Sequence, residues 1–136
     1  MKYRFFEHTA DAIFEAYGRN LNELFENAAL AVEEIQVNTR TIAAKKKKTI
    51  KLENENPEML LFDFLQELIY LKDAEQMLFK EFQVKIVGKK LVADCFGEKI
   101  DQKKHELKVD AKAITLYKFE LKKIKTRWTA RVLVDI

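Results

Sequence analysis

Residues 78–96, LFKEFQVKIVGKKLVADCF, contain the pattern that decides the fold class. On both sides of Gly88, apolar side chains alternate with polar ones, and this two-residue period is typical of strands that bury one face. The sequence Gly88-Lys89-Lys90 is typical of a hairpin turn. The stretch therefore predicts two neighbouring antiparallel strands, at 78–87 and 90–96.

The strand pattern continues on both sides of this hairpin. Further segments that alternate, or that are rich in β-branched and aromatic side chains, are 2–7, 12–17, 49–52, 105–116, 117–124 and 128–136. Residues 97–104 are expected to form a longer polar loop, and the four lysines at 45–48 are interpreted as a solvated loop. Because apolar residues alternate up to Ile136, we expect the last strand to stay in the sheet to its end.

Two segments have the three- and four-residue spacing of amphipathic helices. The apolar stripe of the first, which starts after Asn20, consists of Leu21, Leu24, Phe25, Ala28, Val32 and Ile35. The acidic residues expected outside this stripe are Glu23, Glu26, Glu33 and Glu34. The second helix is indicated by Asn56-Pro57-Glu58, which supplies a capping residue, a proline at the first helical position and an acid at the positive end of the helix dipole. Its buried stripe is expected to be Leu60, Leu61, Phe64, Leu65, Leu68 and Ile69.

Two helices and about seven mostly consecutive strands predict an α+β fold. We expect a two-layer domain in which the two amphipathic helices pack on a mainly antiparallel β-sheet. The chain has 136 residues, of which 48% are hydrophobic, with three glycines and one proline; this is the composition of a compact globule and excludes disorder. A single domain over residues 1–136 follows.

The sequence also limits the compartment of the protein. No apolar run approaches the length of a membrane helix, and the first residues lack the apolar core of a secretion signal. Cys95 is the only cysteine, which excludes an intramolecular disulfide and a multi-cysteine zinc cluster. Since Cys95 alternates with Ala93 and adjoins Phe96, we expect it to be a small buried side chain and not a reactive thiol. A cytoplasmic protein with no membrane partner is the expectation.

Basic residues are concentrated near the end of the chain, although the formal charge of +3 is too small to indicate nucleic-acid binding by itself. Lys112, Lys118 and Lys122 share one strand parity, and Arg127 and Arg131 share a parity on the next strand. Such a basic sheet face could contact RNA phosphates without reading the sequence. The alternative is an ordinary solvated face, on which lysines protect an edge strand from pairing.

Three polar clusters lie at turns or chain ends: residues 7–11, residues 97–101 with His105 beyond them, and Asp135-Ile136. Ca²⁺ is bound by several oxygen ligands, and Asp11, Asp135 and the α-carboxylate of Ile136 can supply up to three anionic groups. The alternatives are a turn role for Asp11 and a frayed chain end at Asp135.

The two histidines, His8 and His105, could form a hydrolase or zinc site with Asp11, Glu98 and Asp101. Their spacing matches no catalytic motif, and the chain contains no serine and no glycine-rich phosphate loop. Hydrogen bonding within turns is the alternative for both histidines, and enzyme chemistry is the weaker interpretation.

Several fragments resemble the archease family in their order and spacing. They are residues 8–11 (HTAD), 60–69 (LLFDFLQELI), 97–101 (GEKID) with His105, 112–115 (KAIT), 128–131 (WTAR) and 134–136 (VDI). The match spans nearly the whole chain. It departs from the family at Ala12-Ile13-Phe14, where a Val-Gly-Ile type of sequence is common, and at Tyr117, where a histidine is common.

The resemblance implies a chaperone-like accessory protein of the RtcB-type tRNA-splicing ligase, and not an enzyme. It also implies that the divalent metal site of the family, expected to hold Ca²⁺, falls on Asp11, Asp135 and Ile136. The further functional candidates lie in the matching fragments and are His8, Glu98, Asp101, His105 and Lys112.

Three hypotheses on function follow. In the first, the protein promotes guanylylation and multiple turnover of a ligase that acts in tRNA splicing or RNA repair. In the second, it is a tRNA-binding adaptor or chaperone that modulates a tRNA cytosine methyltransferase, with which some family members have been associated. In the third, it is a small metal-dependent phosphohydrolase.

Overall fold

The computed structural model describes residues 1–6 and 11–136. The expectations for His8 and for the rest of residues 7–10 therefore lie outside the described residues. The elements in chain order are β1 (Tyr3–Phe6), β2 (Asp11–Gly18), α1 (Leu21–Gln36), β3 (Lys46–Glu53), α2 (Pro57–Glu75), β4 (Met77–Val87), β5 (Lys90–Lys99), β6 (Ala113–Ile124) and β7 (Arg127–Asp135), with a short 3₁₀ turn at Thr39–Thr41 between α1 and β3.

The strands form two antiparallel sheets, which confirms the α+β class. The first sheet has the order β1-β2-β7-β6, and the second has the order β3-β5-β4. The sequence predicts one sheet of about seven strands, whereas the described strands divide into four and three. Buried residues from both sheets and both helices share one large apolar core, so the two sheets are joined through the helices between them.

Helix α1 begins as the sequence predicts. Asn20 is the capping residue, and its side-chain oxygen accepts a hydrogen bond from the amide of Glu23 at 2.9 Å. The prediction that Glu33 lies outside the apolar stripe is wrong, because its side chain is fully buried. The reason is that α1 packs against β2 of one sheet and against β4 of the other, so that its buried surface is wider than a single stripe.

Helix α2 also begins and ends at recognisable signals. Asn56 caps it by accepting hydrogen bonds from the amides of Glu58 and Met59, and Pro57 occupies the first turn. The helix ends before Gln76, which adopts a left-handed conformation with φ of 55°. The ring of Phe64 on its buried side stacks on Phe25 of α1 with a centroid distance of 6.0 Å, so the predicted stripe faces the core.

The predicted strand at 105–116 is wrong over residues 105–112. This segment forms only an isolated bridge, between Leu107 and Val37. Its main chain instead bonds to the end of α1 and the residues after it: the amide of Asn38 donates to the carbonyl of Glu106, and the amide of Lys108 donates to the carbonyl of Gln36, both at 2.8 Å. Residues 105–112 therefore alternate in sequence like a strand, but they cross the end of α1 and belong to neither sheet.

The rest of the predicted strand at 105–116 and the predicted strand at 117–124 form one strand, β6, interrupted by a wide bulge. Between the pairs Thr115–Leu133 and Glu120–Arg131, four residues of β6 face the single residue Val132 of β7. Lys118 within the bulge has a left-handed φ of 55°. The bulge shifts the register of β6, so side-chain parity cannot be counted through it.

Two further boundaries differ from the sequence prediction. Residues 97–99 belong to β5 and not to the polar loop. Gly97 has no side chain at a place where β4 and β5 approach closely: a Cβ atom there would lie 1.8 Å from the carbonyl oxygen of Leu78. Residues 46–48 belong to β3, so most of the lysine run that is interpreted as a solvated loop is strand.

Candidate metal centre

Asp11 and Asp135 lie directly opposite each other on neighbouring strands. Asp11 begins β2 and Asp135 ends β7, and they are register partners in the antiparallel pair. Directly opposed residues of antiparallel strands point to the same face of the sheet, with Cβ atoms about 4.5–5.5 Å apart. The two carboxylates that the sequence singles out at opposite ends of the chain are therefore neighbours.

The end of the chain is anchored, and the alternative of a frayed terminus is not what the structure shows. The side chain of Ile136 packs against the main core, and β7 is paired on both sides. The amide of Lys112 donates a hydrogen bond to the carbonyl of Asp135 at 2.7 Å, which fixes the last residues from the β6 side. Ile136, which carries the α-carboxylate, directly follows Asp135 in the chain.

The donor set at this edge consists of oxygen atoms, which suits a hard cation such as Ca²⁺. In residues 1–6 and 11–136, no group of three His, Cys, Asp or Glu side chains is arranged to hold a metal ion.

Of the further candidates among the described residues, Lys112 lies beside this pair. Its amide reaches Asp135, as described above, and its side chain is exposed. The residue next to it, Ala113, is the register partner of Asp135 on β6.

The structure brings Glu98, Asp101 and His105 together in a different place, at the end of β5 in the other sheet. Glu98 accepts hydrogen bonds from the amide of Ala43 at 2.7 Å, from Lys104 Nζ and from His105 Nε2 at 2.9 Å. These three donors hold the pKa of Glu98 well below its usual range, at about 2, with the Ala43 amide contributing most. Glu98 therefore joins the loop after β5 to the segment before β3.

His105 and Asp101 close the same loop. His105 is buried, and its Nδ1 accepts a hydrogen bond from the amide of Asp101 at 2.9 Å, so the ring hydrogen that meets Glu98 is on Nε2. The side chain of Asp101 accepts from the amide of Lys103, and its carbonyl accepts from the amides of Lys104 and His105. Both ring nitrogens of His105 are used in holding the loop, which agrees with hydrogen bonding within a turn.

The shared parity of Lys112, Lys118 and Lys122 does not place the three lysines in one row of β6. Lys112 precedes β6, Lys118 lies in the bulge, and Lys122 contacts Glu120 at 3.3 Å. Arg131 on β7 has an acidic register partner on each side, Glu15 on β2 and Glu120 on β6. Acidic and basic side chains therefore alternate across the strands at Arg131, and the tRNA-binding adaptor stays a prediction.

Sequence reasoning missed two buried charged residues. Lys72 near the end of α2 is 7% exposed; it contacts Asp110 and Asp73 and donates to the carbonyl of Ala111 at 2.9 Å. Glu33 is the second such residue. Neither position carries a signal in the sequence, because charged residues on amphipathic helices are normally exposed.

Cys95 is buried as expected, and burial raises the pKa of its thiol to about 12.

Comparisons with known proteins agree with this description. The model of the Archease protein family matches residues 3–136. A protein archease of Pyrococcus abyssi is 39% identical and covers 99% of both chains, and one of Archaeoglobus fulgidus is 42% identical over 100% of both. No helix in the described part of the chain is long and apolar enough to cross a membrane.

Two solved structures have the same fold. The solution structure of protein 1598 of Methanobacterium thermoautotrophicum superimposes with a TM-score of 0.88 at 38% identity, over 98% of both chains. The crystal structure of an archease from Thermotoga maritima, described as a possible chaperone, has a TM-score of 0.69 at 22% identity, over 96% of this chain and 94% of that one. The second likeness supports the fold alone.

Proposed function

The chain belongs to the archease family, and on this premise we propose that it activates an RtcB-type RNA ligase and binds a divalent cation with Asp11, Asp135 and Ile136. The protein is an accessory protein in this proposal: it promotes guanylylation of the ligase and its repeated turnover in tRNA splicing or RNA repair. The observation that carries the metal site is the direct opposition of Asp11 and Asp135, next to an anchored chain end.

Ca²⁺ is the cation that this donor set favours. The side chains of Asp11 and Asp135 supply two carboxylates, and Ile136 supplies the α-carboxylate as a third anionic group. Asp11, Asp135 and Ile136 would hold the cation, which would supply positive charge for oxygen atoms of a nucleotide or of the partner protein. The chain itself contributes rigidity, because β7 lies between β2 and β6 and Lys112 holds the carbonyl of Asp135.

A role in assisting another protein also fits the other polar clusters. In the described residues, Glu98, Asp101 and His105 hold a loop through hydrogen bonds to each other and to neighbouring main-chain groups, an arrangement that stabilises structure. An activator needs a surface that prefers one conformer of its partner, because a ligand shifts an equilibrium only by its differential affinity for the two states.

The test is a ligation assay with an RtcB-type ligase at substoichiometric concentration, in which guanylylated ligase and joined RNA are both measured. We expect the wild-type protein to raise both quantities, and Asp11→Asn and Asp135→Asn each to abolish the increase while the circular dichroism spectrum stays unchanged. Asp94→Asn, an equal change of charge on the other sheet, is the matched control and should activate like the wild type. Equal stimulation by all four proteins, or none by the wild type, would contradict the proposal.

A further inference from the structure

Helix side chains bond to one edge strand of each sheet, β4 in one and β6 in the other. At the β4 edge, side chains of α1 accept hydrogen bonds from strand amides: Glu26 from Val84 at 2.9 Å and Asn22 from Ile86 at 3.0 Å. These contacts occupy donor groups that an edge strand would otherwise offer to another chain. Helix α1 thus closes the β4 edge of the three-stranded sheet.

Helix α2 closes the β6 edge of the four-stranded sheet in the same way. Gln66 accepts from the amide of Ile114 at 2.8 Å, and Glu58 accepts from the amide of Leu121 at 3.0 Å. Within residues 1–6 and 11–136, no helix side chain makes such a bond to an amide of β3, which is the other edge of the three-stranded sheet. An eight-residue strand, Lys46–Glu53, therefore has one open side.

The charge on this open edge is strong and of one sign. Residues 45–51 contain five lysines and no acidic residue. Lys48 contacts Glu75 at the end of α2 at 3.2 Å, while Lys46, Lys47 and Lys51 are exposed and make no ion pair with a described residue. Lysines on an edge strand repel a second copy of the same strand, but they attract a strand of opposite charge.

From these observations we propose that the free edge of β3 binds an extended, acidic segment of a partner protein, which adds to the sheet as a fourth strand. Main-chain hydrogen bonds to β3 supply affinity in this binding mode, and alternate side chains supply specificity. The proposal is independent of the cation and of the ligase, because β3 lies in the sheet that does not contain Asp11 and Asp135.

The side chains of β3 define the pattern of the partner segment. Lys47 and Lys51 are exposed and lie on the solvent face of the sheet, together with their register partners Phe96 and Val92. Ile50 is buried and points to the core on the opposite face. An added strand would place one set of side chains beside the two lysines and the other set beside Ile50 and Leu52. A shallow depression of about 350 Å³ at this end of β3 is lined by Lys51, Leu52, Glu53, Lys90, Leu91 and Val92. The matching sequence alternates acidic and apolar residues.

The probe is a nine-residue peptide of alternating glutamate and valine with blocked ends, added to the 136-residue protein. We expect saturable binding, and slower hydrogen exchange at the β3 amides that point away from β5, because these amides become hydrogen-bonded in the new strand. The double variant Lys47→Glu, Lys51→Glu should weaken binding by about tenfold or more, since two attractive contacts become repulsive. The matched control Lys123→Glu, Lys125→Glu, on the hairpin of the other sheet, should bind like the wild type.

A single-stranded decauridylate separates strand addition from attraction to any polyanion. Lysines alone would bind it, but RNA cannot protect the outward amides of β3 as a fourth strand does. If the double variant does not fold, as judged by circular dichroism, Lys47→Gln, Lys51→Gln takes its place with the same expected direction. Absence of peptide binding, binding without protection of the β3 amides, or RNA binding tighter than the peptide would each overturn the proposal.

Discussion

Gln36 Nε2 donates a hydrogen bond to Glu33 Oε2 at 3.3 Å, one turn apart on α1 and inside the core. Burial raises the pKa of Glu33 well above its usual range, although hydrogen bonds from Phe79 and Gln36 oppose this change. Among the described atoms, Glu33 Oε1 has no hydrogen-bond partner. These conditions favour the neutral acid, because an isolated carboxylate is costly to bury.

The raised pKa of Glu33 predicts a pH dependence of stability. The folded protein holds this proton at a pH where the unfolded chain has lost it, so the stabilisation is complete below the unfolded pKa and is lost as the pH rises through the folded pKa. Glu33→Gln keeps a neutral side chain at all pH values. We therefore expect the Tm of Glu33→Gln, relative to wild type, to increase from pH 4 to pH 8 in thermal melts.

Glu34 is the matched control, because its pKa moves the other way. Partial burial raises it, but hydrogen bonds from Lys108 and Thr39 outweigh burial and lower the pKa of Glu34. Its contribution is present at neutral pH and is lost on acidification. Glu34→Gln should therefore lower the Tm more at pH 7 than at pH 3. The same slope for both variants would show that Glu33 is not neutral in the core.

Glu98→Gln should destabilise the protein, because it weakens the hydrogen bonds by which Glu98 holds Lys104 and His105 of the loop after β5. The depressed pKa of Glu98, about 2, means that its stabilisation is present above the unfolded pKa and is lost as the pH falls through the folded value. We expect a lower Tm than wild type at pH 7 and a difference that shrinks between pH 4.5 and pH 2. Stimulation of the ligase, measured well below the Tm, should stay near that of the wild type. A loss of stimulation without a loss of Tm would give Glu98 a direct functional role.

Phe64→Ala tests the shared core. Phe64 is fully buried between Phe25 of α1 and Phe82 of β4, with ring centroids at 6.0 and 6.5 Å. Removing its ring leaves a cavity where both helices and one sheet meet, and we expect a loss of about 3 to 5 kcal/mol in urea unfolding. Leu116→Ala, at a position that is 58% exposed, should change stability by less than about 0.5 kcal/mol. Similar losses for the two variants would contradict this assignment of the core.

The sequence predicts most of the elements, because their signals are local. Asn20, Asn56 and Pro57 mark the helix starts that the structure has, and the hairpin at Gly88 lies where the turn residues place it. The opposition of Asp11 and Asp135 is a long-range pairing, and local periodicity cannot supply its register. In the sequence, Asp11 and Asp135 are connected only by their positions near the chain ends and by the resemblance to the archease family.

The wrong predictions from the sequence share one physical cause, which is that tertiary packing overrides the local pattern. Glu33 follows the pattern of an exposed position, but α1 lies between two sheets and buries it. Residues 105–112 have strand alternation but pair with the end of α1 instead of a strand. The bulge in β6 breaks the parity on which a basic face was counted, because the extra residues reverse which side chains share a face.

The last prediction concerns the α-carboxylate of Ile136, which separates the proposed metal site from every function that does not use the chain end. Two glycines added after Ile136 convert this carboxylate to an amide carbonyl and move the charge away, while the side chain of Ile136 can stay packed on the core. A carbonyl still coordinates Ca²⁺, but affinity in such sites depends on the number of charged ligands. We therefore expect weaker Ca²⁺ binding and weaker ligase activation than in a protein with two glycines added at the other end.

Calorimetric titration of Ca²⁺ into both extended proteins measures this difference directly. Their Tm values in EDTA should agree, which would show that the extension acts on the site and not on the fold. A protein that ends in an Ile136 carboxamide, made by semisynthesis, removes the charge without lengthening the chain and should lose affinity to a similar degree. Equal affinities for all forms would exclude Ile136 as a ligand and leave Asp11 and Asp135 as the only protein carboxylates proposed for the site.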